Sequence, residues 1–313
     1  MWRLLTLALF VLLGCDQRQV TPSAAPVTSR SELPVAQADL ERVKRFEYIT
    51  YRYAETEERP VALRLDFYAP NAACETARPT VVIIHGGSFR GGSRRAPSLI
   101  SYALTFARHG YNAVSIDYRL MGQDPLPSQP YREMAKRYSG YASTRVITTA
   151  AAAIEDTVAA LDWLGDNAAR YCVDPERFAL FGFSAGAVIA LQTTYSLNEN
   201  GIEAPNISAV ASYSGRLIPP NAIDVGDTPL FIIHGMDDLL VNYRHAEAMW
   251  ARARAVATPV QLHAFMDAGH GVVRLYSDQI DGVPVMQRLI TFFDQSFTGQ
   301  LMPSQMTRSP LSQ

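Results

Sequence analysis

The pentapeptide Gly182-Phe183-Ser184-Ala185-Gly186 sets a serine between two glycines, after the apolar run Phe178 to Phe181 and before the helix-like stretch Ala187 to Tyr195. On a sharp turn between a strand and a helix such a serine presents its hydroxyl outward, and the glycines let the two elements approach without side-chain collision. A serine hydroxyl is a poor nucleophile at neutral pH. It needs a general base within hydrogen-bond reach and a carboxylate to orient that base. Two later segments supply those residue types: His234-Gly235-Met236-Asp237-Asp238 after the run Leu230 to Ile233, and Gly269-His270-Gly271 after the run Val260 to Phe265. A third segment, His85-Gly86-Gly87-Ser88-Phe89, follows Val81 to Ile84 and places glycines where backbone N–H groups can turn toward a developing oxyanion. The N–H of Ala185, at the start of a helix, is a further donor.

These segments act together only if the fold brings them to one place. From Val81 the chain alternates short apolar runs (Val81 to Ile84, Ala113 to Ile116, Phe178 to Phe181, Ile207 to Tyr213, Leu230 to Ile233, Val260 to Phe265) with helical patterns at 99–108, 148–168 and 244–255. Such runs read as strands buried on both faces, and the alternation predicts a mostly parallel sheet wrapped by crossover helices. The carboxyl ends of parallel strands share one edge, so Ser184, an aspartate near 238 and His270 converge there despite their separation in sequence. Ahead of this lie two alternating stretches, Phe46 to Tyr53 and Val61 to Tyr68, which predict an antiparallel hairpin. A closing helix is expected over Val285 to Phe293. Residues 121–143, rich in Pro, Gln and Tyr, are too long for a simple connection and predict a small flap whose Tyr131, Tyr138 and Tyr141 either line a substrate cleft or pack on the surface of an insertion. One catalytic domain is expected over 41–298, with 299–313 as a C-terminal tail.

The chain has 313 residues, 48% of them apolar and 19% charged, and a net charge of -2. That composition allows a sizeable core, and the absence of basic runs removes the electrostatic footprint of a nucleic-acid binder. A small-molecule partner is expected, and no histidine or cysteine cluster points to a metal or cofactor. The N-terminus differs: Arg3, the apolar stretch Leu4 to Leu13 and the boundary Leu12-Leu13-Gly14-Cys15 read as a signal peptide over 1–14, because ten apolar residues are too few for a span of about 20. This segment resembles a bacterial lipoprotein signal, which implies Cys15 as the lipidated residue. Residues 15–40, with Pro22, Pro26 and Pro34, read as a flexible tether to the membrane. Ordinary cleavage elsewhere and an uncleaved anchor stay open.

Further pieces fit the same pattern: Leu65-Asp66-Phe67-Tyr68-Ala69-Pro70, Ser115-Ile116-Asp117-Tyr118-Arg119, and Asp174-Pro175-Glu176-Arg177 leading into the strand before Ser184. With Gly182 to Gly186, His85 to Phe89 and the order Ser, Asp, His, the chain resembles an α/β-hydrolase of the bacterial carboxylesterase type with an HGG motif, over roughly 45–296. The resemblance implies Ser184 as nucleophile, Asp238 as acid, His270 as base, and Gly87, Ser88 and Ala185 as oxyanion donors. Asp237 stays open as the acid, and Asp267 is expected to help position the histidine loop. Asp117 and Arg119 are expected to form an internal ion pair that braces the sheet edge, with substrate binding as the alternative. Cys74 and Cys172 lie just upstream of two strands that neighbour one another in this fold, which implies a disulfide, with two free thiols as the alternative. The activity expected is hydrolysis of short-chain carboxylic esters. A peptidase, a polymer depolymerase or a carbohydrate deacetylase using the same residues stays open, as does a silent binding protein.

Overall fold

The computed structural model describes residues 42–300 and 303–312. The expected signal segment 1–14, Cys15 and the tether 15–40 lie outside the described residues. A nine-stranded sheet runs in the order β1 (Val43–Ala54), β2 (Val61–Pro70), β4 (Asn112–Ile116), β3 (Arg78–Ile84), β5 (Val173–Phe183), β6 (Ile207–Tyr213), β7 (Leu230–Gly235), β8 (Val260–Phe265) and β11 (Gln305–Ser309). β1 pairs antiparallel with β2, and β2 with β4; every later pairing in this sheet is parallel. A two-stranded ribbon, β9 (Gln279–Ile280) and β10 (Val283–Pro284), lies apart from it.

The apolar runs are strands because both their faces are covered. In β3, Val82 and Ile84 belong to one buried cluster while Val81 and Ile83 belong to another, as the period of two requires. The first cluster takes its helical side from α3 (Thr144–Asp166), α5 (Ala185–Tyr195) and α6 (Arg244–Ala255). The second takes Leu99, Tyr102 and Phe106 of α1 (Pro97–Arg108) together with Leu289, Ile290 and Phe293 of α7 (Val285–Thr298). Pro97 opens α1 where its missing N–H has no intrahelical partner, and the Ser143 hydroxyl caps α3 by accepting from the Val146 N–H at 3.4 Å. A four-residue turn, α4 (Ala168–Tyr171), leads into β5.

Three expectations change. Residues 121–143 fold as a 3-10 turn at Met121–Gln123 and a helix, α2 (Gln129–Arg137), packed along α3. Tyr131 and Met134 are buried in the core, and of the three tyrosines Tyr138 and Tyr141 line the cavity beside Ser184 while Tyr131 is not part of that lining. The expected tail 299–313 supplies β11, whose backbone pairs with β8 from Gln305↔Gln261 to Ser309↔Phe265. Gln-Met-Thr-Arg-Ser has no apolar alternation; what places it is the open edge of β8 and the bond from the His263 ring to the Thr307 hydroxyl, 2.8 Å. Finally, Asp117 and Arg119 are not partners. Asp117 meets Arg94, while Arg119 is wholly buried against Glu155 and Asp156 of α3, at 2.7 and 2.8 Å.

Arg119 also donates to the carbonyls of Glu55, Leu126 and Ala152, at 3.0, 2.9 and 3.1 Å. One guanidinium thereby ties the end of β1, the 121–143 segment and α3 together. Removing it leaves two buried carboxylates with Arg52 as the cation that meets them among the described residues, helped by the backbone N–H groups of Ser128 and of residue 119. Arg119→Met is therefore expected to lower stability by about 3 to 5 kcal/mol, the range for breaking a buried ion pair. Urea unfolding at neutral pH checks this, and a loss below about 1 kcal/mol would contradict it.

The structure joins Cys74 to Cys172 with Cα atoms 5.8 Å apart, across 98 residues. Beside it the Arg78 N–H donates to the Cys172 carbonyl at 2.9 Å, which holds β3 against β5 at the edge opposite their carboxyl ends.

Candidate active site

β5 and α5 meet at Ser184, whose backbone is strained at φ 51° and ψ -114°. The turn is passable only because its flanks are bare. A Cβ on Gly182 would fall 2.2 Å from the Gly186 carbonyl oxygen, and one on Gly186 would fall 2.2 Å from that of Ile84. The Ser184 N–H donates to the Tyr213 carbonyl at 2.9 Å, fixing the turn to the end of β6.

The ends of β7 and β8 carry the other two groups. After β7 the chain turns back onto the histidine loop, with the Met236 N–H donating to the Phe265 carbonyl and the Asp237 N–H to that of Ala268, both at 2.9 Å. This turn sends Asp237 to solvent and buries Asp238 at 2% exposure. The Asp238 carboxylate accepts from the His270 Nδ1–H at 2.7 Å through Oδ2, and from the Leu240 and Val241 N–H groups at 2.9 and 2.8 Å through Oδ1. Burial pushes its pKa up. The Val241 N–H, His270 and the Leu240 N–H more than offset that push and hold the carboxyl below its ordinary value. On the far side of the imidazole the Ser184 hydroxyl donates to His270 Nε2 at 2.8 Å. His234, which the sequence places beside the acid loop, lies with Nε2 at 3.3 Å from Asp238 Oδ2 and 2.7 Å from the Val241 carbonyl. Burial lowers its pKa, so it stays neutral and adds no charge beside the acid. Asp267 is exposed, with φ at 55°, and His270 makes its hydrogen bonds among the described residues with Asp238 and Ser184 instead.

The loop after β3 faces the serine turn. Gly87 adopts φ 121°, and a Cβ there would fall 2.1 Å from the Gly91 carbonyl oxygen; Ser88 and Phe89 follow at φ 55° and 61°. The Gly87 carbonyl accepts from the Arg90 and Gly91 N–H groups at 2.9 and 3.2 Å. His85 anchors the loop: its ring stacks on Tyr118 with centroids 4.2 Å apart, and the Tyr118 hydroxyl donates to the His85 carbonyl at 2.9 Å. Burial pulls the pKa of His85 down, which leaves a neutral ring whose Nδ1–H donates to the Gly86 carbonyl at 2.7 Å. The N–H groups of Gly87, Ser88 and Ala185 meet no protein acceptor among the described residues.

Ser184, Ser88 and Ala185 share the wall of a cavity of about 310 Å³ with Tyr138, Tyr141, residues of α3, Arg216, Ile218 and Leu240. Arg90 and Arg216 are the charged residues of this lining, and the sequence pattern did not point to either. Arg216 could have been found, since it lies three residues past the end of β6 and therefore at the same sheet edge as Ser184. Among the described residues no three of His, Cys, Asp and Glu gather to hold a metal ion.

Residues 125–276 match the family model described as Phospholipase/Carboxylesterase, and residues 65–131 match the model named BD-FAE. Among curated proteins, carboxylesterase NlhH of Mycobacterium tuberculosis is 30% identical over 152 residues, which is 49% of this chain and 32% of NlhH. Phenmedipham hydrolase of Pseudarthrobacter oxydans is 37% identical over 127 residues, 40% of this chain and 21% of that protein. The non-reducing polyketide synthase Preu6 of Preussia isomera is 29% identical over 157 residues, 49% of this chain but 6% of the synthase. The match thus spans less than a third of each of these relatives. Among solved structures, Thermogutta terrifontis esterase 2 phosphorylated by paraoxon superimposes with a TM-score of 0.60 and 20% identity, over 82% of this chain and 95% of that one. A truncated carbohydrate esterase from gut microbiota gives 0.58 and 17%, over 82% and 96%. With its mostly parallel sheet, its helices on both faces and Ser184, Asp238 and His270 at the carboxyl ends of three strands, the chain has the α/β-hydrolase fold.

Proposed function

We propose that the chain is a serine carboxylesterase that hydrolyses short-chain carboxylic esters through an acyl-enzyme on Ser184. The observation that carries this reading is the unbroken relay from Asp238 Oδ2 to His270 Nδ1, 2.7 Å, and from His270 Nε2 to the Ser184 hydroxyl, 2.8 Å, at the wall of a cavity. Ser184 Oγ bonds to the ester carbonyl carbon as its proton passes to His270 Nε2, and Asp238 stabilises the imidazolium. The oxyanion sits within reach of the N–H groups of Gly87, Ser88 and Ala185. As the carbonyl re-forms, the alcohol leaves with the proton from His270. Water then enters by the reverse route: His270 takes its proton, hydroxide oxygen bonds to the acyl carbon, and Ser184 departs with that proton.

The preference for short acyl groups is supported by the cavity, whose 310 Å³ lies near the lower end of the roughly 300 to 1,000 Å³ typical of ligand pockets. The link from Ser214 to Thr228 contains only a three-residue 3-10 turn, Pro220–Ala222, and so supplies no large lid. A series of 4-nitrophenyl esters is expected to show kcat/KM highest for acetyl or butyryl and falling steeply toward palmitoyl. A palmitoyl ester turned over faster than the butyryl ester would overturn the preference. The same reading includes export on a lipid carried by Cys15, supported by the Cys74–Cys172 bond, which belongs to oxidising compartments. Cys15→Ala is expected to move the protein from the membrane fraction to the soluble one; unchanged partition would refute the anchor.

A further inference from the structure

Among the described residues, the cavity beside Ser184 is lined by two arginines, Arg90 and Arg216, and by no aspartate or glutamate. Three arginines elsewhere in the fold are matched: Arg94 with Asp66 and Asp117, Arg95 with Asp66 and Glu47, Arg119 with Glu155 and Asp156. Arg216 is not. It is partly buried, and among the described residues neither a carboxylate nor a hydrogen-bond acceptor meets its guanidinium. Burial alone lowers its pKa, with no acid to oppose that, and its charge in turn adds to the burial that lowers the pKa of His245. A guanidinium does not escape this situation by losing its proton. Held half out of water at an apolar wall, it lacks the planar anion that its fork of donors fits. The rest of the lining, including Met134, Val146, Ile154, Val188 and Ile218, suits an apolar stem between the ester and that anion.

We propose that the site selects acidic esters: esters that carry a free carboxylate remote from the scissile bond, with Arg216 as the specificity-determining residue and the exposed Arg90 as its auxiliary. This rests on the esterase reading above and narrows its substrate class. The carboxylate takes the two parallel donors of Arg216 while the ester carbonyl reaches Ser184. Both groups line one cavity, so a single ester can meet them together.

The test compares each acidic ester with its neutral counterpart: monoethyl with diethyl adipate for a carboxylate on the acyl side, and 6-butyryloxyhexanoate with its methyl ester for one on the alcohol side. Wild type is expected to favour the acidic member of at least one pair by about tenfold or more in kcat/KM, chiefly through KM. Arg216→Met should lower that acidic-to-neutral ratio at least about tenfold, Arg216→Lys should keep part of it, and high salt should narrow it. As a readout on the unaltered protein, hexanoate should inhibit neutral-ester hydrolysis more strongly than hexanamide does. A wild-type ratio at or below one in both pairs, or a ratio that Arg216→Met leaves unchanged, overturns the proposal. Neutral-ester hydrolysis that vanishes in Ser184→Ala while the ratio is flat removes only this proposal; hydrolysis that survives in Ser184→Ala removes the esterase reading as well.

Discussion

Replacement of Ser184 by Ala is expected to lower kcat on a short aryl ester by about a millionfold, with the fold intact. The size follows from what the hydroxyl does. Without Oγ no acyl-enzyme forms, and the remaining backbone donors can only assist direct attack by water, which leaves roughly 10³- to 10⁴-fold catalysis over the uncatalysed reaction. The 2.8 Å bond between Ser184 and His270 makes a second expectation equally sharp. His270→Ala should lose about as much as Ser184→Ala, and the double variant should lose hardly more, because base and nucleophile act as one unit. Folding should survive, since Ser184 is only partly buried and Ala shares its size. Burst kinetics with 4-nitrophenyl butyrate and a thermal melt check both points. A kcat within about a hundredfold of wild type, or losses that multiply in the double variant, would remove Ser184 from the mechanism.

Asp238→Asn is expected to lower kcat by about 10⁴-fold while changing stability little. The geometry dictates why. Oδ1 accepts two backbone N–H groups, from Leu240 and Val241. An asparagine can keep those bonds only by placing its carbonyl oxygen there, which turns its NH₂ toward His270 Nδ1, 2.7 Å away in the parent. His270 must then accept at Nδ1 and carry its proton on Nε2, the nitrogen that faces Ser184. In that tautomer it cannot take the serine proton. Asp237→Asn, by contrast, alters an exposed side chain outside the relay, and its kcat should stay within about threefold of wild type. The two variants assayed side by side decide the acid. A loss below tenfold in Asp238→Asn, or a larger loss in Asp237→Asn, would reassign it.

Much of the architecture was legible along the chain because its signals are local. The runs Val81 to Ile84, Phe178 to Phe181 and Leu230 to Ile233 are too short and too uniformly apolar to be anything but strands covered on both faces. The glycines around Ser184 announce a turn that excludes side chains, and the structure shows backbone oxygens where those side chains would stand. Position at the carboxyl edge follows from strand direction alone, so the meeting of Ser184, His270 and an aspartate near 238 needed no knowledge of their contacts.

What was not legible depends on partners far away in sequence. The amino-acid order by itself determined the alternating strands and helices, the serine turn, the glycine loop after His85 and the edge at which these assemble, because each is set by residues within one or two turns of backbone. Only the tertiary structure decided the rest. It chose Asp238 over its neighbour, since the turn after β7 rotates adjacent side chains to opposite sides and only one meets His270. It drew residues 305–309 into the sheet, because an open strand edge accepts backbone whatever the side-chain pattern. It gave Arg119 to Asp156 rather than to Asp117, and placed Arg216 beside the cavity with no acid against it among the described residues. Charge pairing is settled by which groups the packed elements bring within a few ångströms of one another, and no local pattern encodes that distance.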